Sequence, residues 1–302
     1  MTAISPRRRW LAYGLIALAL GLTANSVLGP LLVGAIRYRF SETLINQGIG
    51  LDAVALLGAV PVAVAAALLT LRGHLAGPVL ALIPATFAAY MAPQYVVGPD
   101  YLGIAGNNEQ FFLFHLGLFV LALGTIVLAW TETDRTRLRQ ATAGSDRRRS
   151  WVMFGVAAFI LLGRWLPFLV ELTQGDPTSP DYVENPTSFL LIGLLDLGLV
   201  VPAALTAGIG LRFHASWSRT AAYGVIGWFA LVPAAVAAMA IAMVVNGDPA
   251  ADTGTAAVLA VAAVVFTAGA AALYRPLFGP GPGDDRDDSK LVARADSGAV
   301  VG

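Results

Sequence analysis

The chain has 302 residues, 57% of them hydrophobic and 13% charged, with zero formal net charge and no cysteine. Soluble domains are about 25% charged, and the surplus apolar residues here fall in long runs that bilayers, not water-soluble cores, require. Neutrality gives no bulk attraction for nucleic acid, and the lack of cysteine excludes disulfides, thiolate metal sites and thiol nucleophiles.

Eight apolar segments follow one another, at 10–36, 50–71, 76–97, 110–130, 151–172, 188–211, 220–245 and 254–274. Each has about 20 residues or more, enough to cross a ~30 Å hydrocarbon core as a helix. Only helices satisfy every backbone group within such a segment. The first begins with Ser5-Pro6-Arg7-Arg8-Arg9 and runs from Trp10 to Ile36. A cleavable signal has an apolar core of about 7–15 residues. The length therefore predicts an uncleaved first helix, and it counts equally against a twin-arginine signal. Prolines interrupt several segments: Pro30, Pro61, Pro84, Pro93, Pro167, Pro202 and Pro233. In a bundle, neighbouring helices can re-satisfy the carbonyls that proline frees.

The run from Ser188 to Phe213 carries one acid, Asp196, and the run from Gly50 to His74 carries Asp52. Both read acid, then Val-Pro (Val60-Pro61, Val201-Pro202), then Arg-x-His (Arg72/His74, Arg212/His214). The polar stretch 131–150 separates two sets of four segments, so the echo falls in the second segment of each. Four is even, and two parallel four-helix repeats are the expectation. The halves are then 1–130 and 151–278, joined by a cytoplasmic linker at 131–150. The Gly/Pro/Asp-rich stretch 279–302 reads as a disordered cytoplasmic tail.

Arginine and lysine set the expected orientation. With eight crossings, one side collects 16 of the 19 basic residues, the other holds Arg37 and Arg39, and Arg164 lies within a segment. The sequence thus predicts an all-α membrane protein: an eight-helix bundle, N- and C-termini cytoplasmic, in a prokaryotic cytoplasmic membrane.

Counting from the basic ends places polar residues by depth. Asp196 lies 16 residues from Arg212, roughly 24 Å. Arg164 comes out at roughly 20 Å, and His115 and Asn25 at roughly 22 Å each. Tyr90 and Gln94 lie at similar height. Asp52 falls near 30 Å, at the outer boundary, where it reads as a helix-start acid. An ionised side chain inside a membrane costs at least about 2.5–3.5 kcal/mol and normally faces a partner in the bundle. Arg164 and Asp196 are therefore expected to pair. HExxH, GxSxG and Walker A patterns are absent, as is any long acidic metal cluster. No catalytic residue, metal or cofactor is assigned, and an enzyme is not the preferred reading.

Gly50–Pro61 (GLDAVALLGAVP), the Tyr90/Tyr95 pair, Asn108 with Phe111-Phe112, and Leu194–Pro202 (LLDLGLVVP) carry a resemblance. Over 46–130 and 185–214 the chain resembles a family of prokaryotic multi-pass membrane proteins, of about eight helices, that has no assigned activity. Phe114-His115 departs from that pattern, which has a tyrosine late in its fourth-helix motif. The resemblance implies a fold and a set of polar positions, not a reaction.

The preferred function is a small-solute or proton-coupled transporter or permease. Its polar site lies in the outer leaflet, built from Asp196, Arg164, His115, Asn25, Tyr90 and Asp52. The alternatives are a non-catalytic membrane subunit or sensor, and an intramembrane enzyme acting on a lipid or quinone. Expected partners are membrane lipids and a small-molecule substrate, with no nucleic acid.

Overall fold

The computed structural model describes residues 5–175 and 177–279. Among these, eight helices are long and apolar enough to cross a membrane. They are α1 (Pro6–Leu28), α2 (Glu42–Leu71), α3 (Ala76–Val97), α4 (Asn108–Glu132), α5 (Asp146–Gln174), α6 (Pro186–Arg212), α7 (Ser218–Val245) and α8 (Thr253–Phe278). All eight expected segments are present, and no strand occurs among the described residues. The reading of 279–302 as a tail lies, save Gly279, outside the described residues.

Local chemistry explains several helix ends. The Ser5 hydroxyl accepts from the Arg8 N–H and Pro6 opens α1, where a missing N–H costs nothing. At α2 the Ser41 hydroxyl accepts from Leu44 N–H, and Glu42 sits in the first turn. Asp252 caps α8 by accepting from Thr255 N–H.

Three expected boundaries are corrected. α1 stops at Leu28 rather than Ile36, because the chain folds back there: Ile36 N–H donates to Leu28 O, with Gly34 in the left-handed region at φ 68°. α2 begins at Glu42, eight residues before the apolar run. Its polar first turns are held by packing partners: Asn46 donates to Asp248, and Asn246 donates to Asn46. The stretch 131–150 is largely helical: α4 runs to Glu132, a short helix spans Arg135–Ala141, and α5 starts at Asp146. Asp134 caps the short helix through Thr136 and Arg137 N–H groups.

The outward faces are apolar. Leu20, Leu57, Leu113, Leu194 and Val258 are all at least 66% exposed. Water would not tolerate so many large apolar groups on one surface, whereas lipid does. α3 is the central helix: 72% of its apolar window is buried, against 17% for α8. It packs against α2, α4 and α7; α1 lies on α2 and α4, α5 on α6, and α7 on α8. The first half of α2 crosses α7 closely enough that a Cβ on Gly50 would meet the Ala238 backbone at 2.3 Å.

Three helices contain a π turn, and each turn ends just before an X-Pro pair. The turns are Ala55–Ala59 before Val60-Pro61, Phe159–Trp165 before Leu166-Pro167, and Asp196–Val200 before Val201-Pro202. Proline has no N–H for the carbonyl four residues back, and its ring crowds that carbonyl. The wider turn reroutes the pairing: Val60 N–H donates to Ala55 O, and Val201 N–H to Asp196 O. Pro84, Pro93 and Pro233 lie inside regular α-helix instead.

At the face carrying the described chain ends, Asp146 accepts two bonds from the Arg219 guanidinium. The fully buried Arg149 donates to the Tyr223 hydroxyl at 2.8 Å, and that hydroxyl donates to Leu273 O. These bonds tie α5, α7 and α8 together. We call this the terminal face and the opposite one the far face.

Candidate functional site

The six candidate residues fall into two clusters, both nearer the far face. Each contains one of the two acids, and each acid is the eleventh residue of its helix, counted from Glu42 and from Pro186. Asp52 is therefore not a helix-start acid: the early start of α2 carries it about 15 Å along the helix, where it is 1% exposed.

The first cluster joins Asn25, Asp52 and His115. The Asn25 Nδ2 amide donates to Asp52 Oδ1 at 3.1 Å. Asn25 Oδ1 accepts from the Tyr38 hydroxyl and contacts His115 Nε2, both at 3.1 Å. An amide oxygen can only accept, so His115 Nε2 carries the hydrogen. The Tyr95 hydroxyl donates to Asp52 Oδ1 at 3.2 Å, and the Ser26 hydroxyl donates to the Asp52 carbonyl. Tyr95, Tyr38 and His115 form a triangle of rings, with Tyr95 stacking on Tyr38 at 4.9 Å and on His115 at 5.3 Å. Asn25, Asp52 and His115 are each at most 2% exposed.

A lid of backbone closes this cluster on the far face. Residues 35–39 run beside 104–109. Arg37 N–H and Arg39 N–H donate to the side-chain oxygens of Asn107 and Asn108, each at 2.7 Å. Arg37 is exposed and Arg39 half-buried, while Tyr38 between them points in and is 4% exposed. The Arg39 guanidinium then locks onto Glu109 through two bonds and onto Ile104 O. Burial drives the Tyr38 phenol well above its ordinary pKa. The phenol is a neutral donor.

The second cluster joins Tyr90, Arg164 and Asp196. The Tyr90 hydroxyl donates to Asp196 Oδ1 and the Trp165 indole N–H donates to Oδ2, both at 2.8 Å. Arg164 Nε lies 3.6 Å from Oδ2. The expected pair therefore exists, but loosely: the Arg164 side chain is 44% exposed and sits over the Trp165 ring at 5.4 Å. Two neutral donors, not the guanidinium, make the close contacts.

Tyr38 and Trp165 were not among the expected site residues. Trp165 directly follows Arg164, and an uncharged indole in an apolar run carries no signal of its own. Tyr38 alternates with two arginines in Arg37-Tyr38-Arg39, a pattern readable only once the backbone bonds of that stretch to Asn107 and Asn108 are known. α3 joins the clusters: Tyr95 serves Asp52 and Tyr90 serves Asp196, about 7.5 Å apart along one axis.

Two acids engaged inside an apolar eight-helix bundle define the class: the chain has the make-up of a polytopic, multi-pass membrane protein. No family model, curated protein or solved structure matches it.

Proposed function

We propose that the protein is a small-solute permease, proton-coupled, whose exchangeable group is the Asp196–Arg164 pair. The observation that carries this reading is the loose cation on a buried, well-held acid. Asp196 keeps its place through Tyr90 and Trp165, so Arg164 can leave without releasing the carboxylate. A solute taking its place opposite Asp196 carries a cation or a hydrogen-bond donor. α3 touches both acids and packs on α7 of the other half as well as on its own neighbours α2 and α4, which supports a rearrangement of one half against the other, with the halves as parallel repeats.

The test is thermal stabilisation of purified protein by a panel of small amines and organic cations at two pH values. Wild type should be stabilised in a pH-dependent way by at least one of them. Asp196→Asn keeps the shape and one acceptor for the Trp165 indole, and its amide can donate to a Tyr90 hydroxyl turned to accept, so it should fold and lose the response. A second reading, a structural pin in a non-catalytic membrane subunit, is supported by the burial of Asp196 at 5% exposure with both oxygens engaged. Equal behaviour of the two proteins against every solute would favour the pin.

The proposal places both termini in the cytoplasm, supported by the 16-to-2 distribution of basic residues. A reporter fused after Gly302 should be active only in the cytoplasm. Activity on the outer side would reverse the orientation and put both clusters near the inner leaflet.

A further inference from the structure

The two acids are neutralised differently. Asp196 has Arg164 beside it. Asp52 has no basic side chain in contact among the described residues: the ion pairs found there involve Asp146, Asp196, Glu109 and Glu132. The groups facing Asp52 can be taken element by element. α1 offers Asn25 and Ser26, and α3 offers Tyr95. The lid offers Tyr38 and α4 offers His115, both through Asn25 Oδ1. α7 crosses α2 near Gly50 with the backbone of Ala238 and Met239. Of the lid's two arginines, Arg39 is committed to Glu109 and Arg37 is exposed. His115 turns its Nε2–H toward Asn25, not toward Asp52.

The hydrogen bonds at Asp52 are one-sided. Oδ1 accepts from both Asn25 and Tyr95, whereas Oδ2 is buried with no hydrogen-bond partner. A carboxylate spreads its charge over both oxygens and attracts donors to both. A carboxylic acid has one carbonyl oxygen that accepts and one hydroxyl that donates, so donors gather on the carbonyl oxygen alone. The pattern at Asp52 is that of the acid. An unpaired ionised carboxylate in such a site would carry a large desolvation cost, which a proton removes.

We infer that Asp52 is a proton-binding site: it holds one proton on Oδ2, beneath the lid, while Asp196 stays a carboxylate. The protein thus carries one loaded acid and one charged acid at the same distance from the far ends of their helices. Asn25 connects the loaded acid to His115, whose Nδ1 is also buried without a partner. The inference stands on the geometry of the first cluster and holds whether or not the Asp196 pair exchanges with a solute.

Infrared spectroscopy of the purified full chain at neutral pH tests it, since a protonated carboxyl has a C=O stretching band separate from carboxylate absorption. Wild type should show that band, Asp52→Asn should lose it, and Asp196→Asn should retain it in full. Should Asp52→Asn fail to fold, Asp52→Glu keeps the acid and should shift the band rather than remove it. Absence of the band in wild type, its persistence unshifted in the Asp52 variants, or its loss in Asp196→Asn would each overturn the assignment. Solute binding is not part of this readout, so its outcome is separable from that of the permease proposal.

Discussion

Gly50→Ala is expected to destabilise the bundle by about 3 kcal/mol, the upper end of the usual cost of overpacking. The added Cβ would lie 2.3 Å from the carbonyl carbon and oxygen of Ala238 and from the nitrogen of Met239. These are backbone atoms of α7, so no side chain can swing aside. α2 and α7 must separate, and the separation pulls on Asp52, two residues further along. Gly48 provides the control within the same helix. A Cβ there meets nothing within 4 Å, and alanine improves helix propensity by up to about 1 kcal/mol. Gly48→Ala should therefore equal or exceed wild type in thermal unfolding in detergent. Two variants with the same midpoint would show that the α2–α7 crossing is looser than described.

Asn25→Leu should cost about 4 kcal/mol. Leucine branches at the same atom with the same number of heavy atoms and suits a helix, so helix propensity is not lost. What disappears is the shared partner of three buried groups. Asp52 loses a donor, and Tyr38 and His115 lose their acceptor. Each buried group left unsatisfied costs about 1–3 kcal/mol. Because Tyr38 anchors the lid from below, the loss should also appear as faster hydrogen exchange at Arg37 and Arg39. Their N–H groups donate to Asn107 and Asn108. A stability loss under about 1 kcal/mol, with unchanged exchange, would mean that Asn25 is not the hub of the cluster.

The number of helices was legible in the sequence because bilayer length is a strong constraint on apolar runs. So was the meeting of Arg164 with Asp196, since opposite charges at one depth have few other partners. The grouping of the polar residues was not. Depth counting put Asn25, Tyr90, His115, Arg164 and Asp196 on one level, yet level says nothing of which side of α3 each helix occupies. Tyr90 and Tyr95 point to different acids. Asp52 was misplaced because hydropathy marks where a segment becomes apolar, not where a helix begins. Thr43 and Asn46 belong to α2 through bonds to Asp248, more than 200 residues away in sequence. The lid was invisible for a similar reason: its pairing of 35–39 with 104–109 spans about 70 residues and uses polar loops that carry no periodic signal.

The proline-linked π turns limit how symmetric the bundle can be. Val-Pro closes the turn in α2 and in α6 in the same way, through an N–H to the carbonyl five residues back. Asp196 heads its own turn, whereas Asp52 precedes Ala55, the head of the other, by three positions. Any rotation that lays α6 on α2 through these turns leaves the two carboxyls about 4.5 Å apart along the axis and about 60° apart around it. Laying the acids on each other instead puts the turns out of step by the same amount. No single operator superposes both features, so the two acids are not interchangeable copies of one position. Averaging the halves would erase the contrast between a carboxyl among neutral donors and one beside a guanidinium.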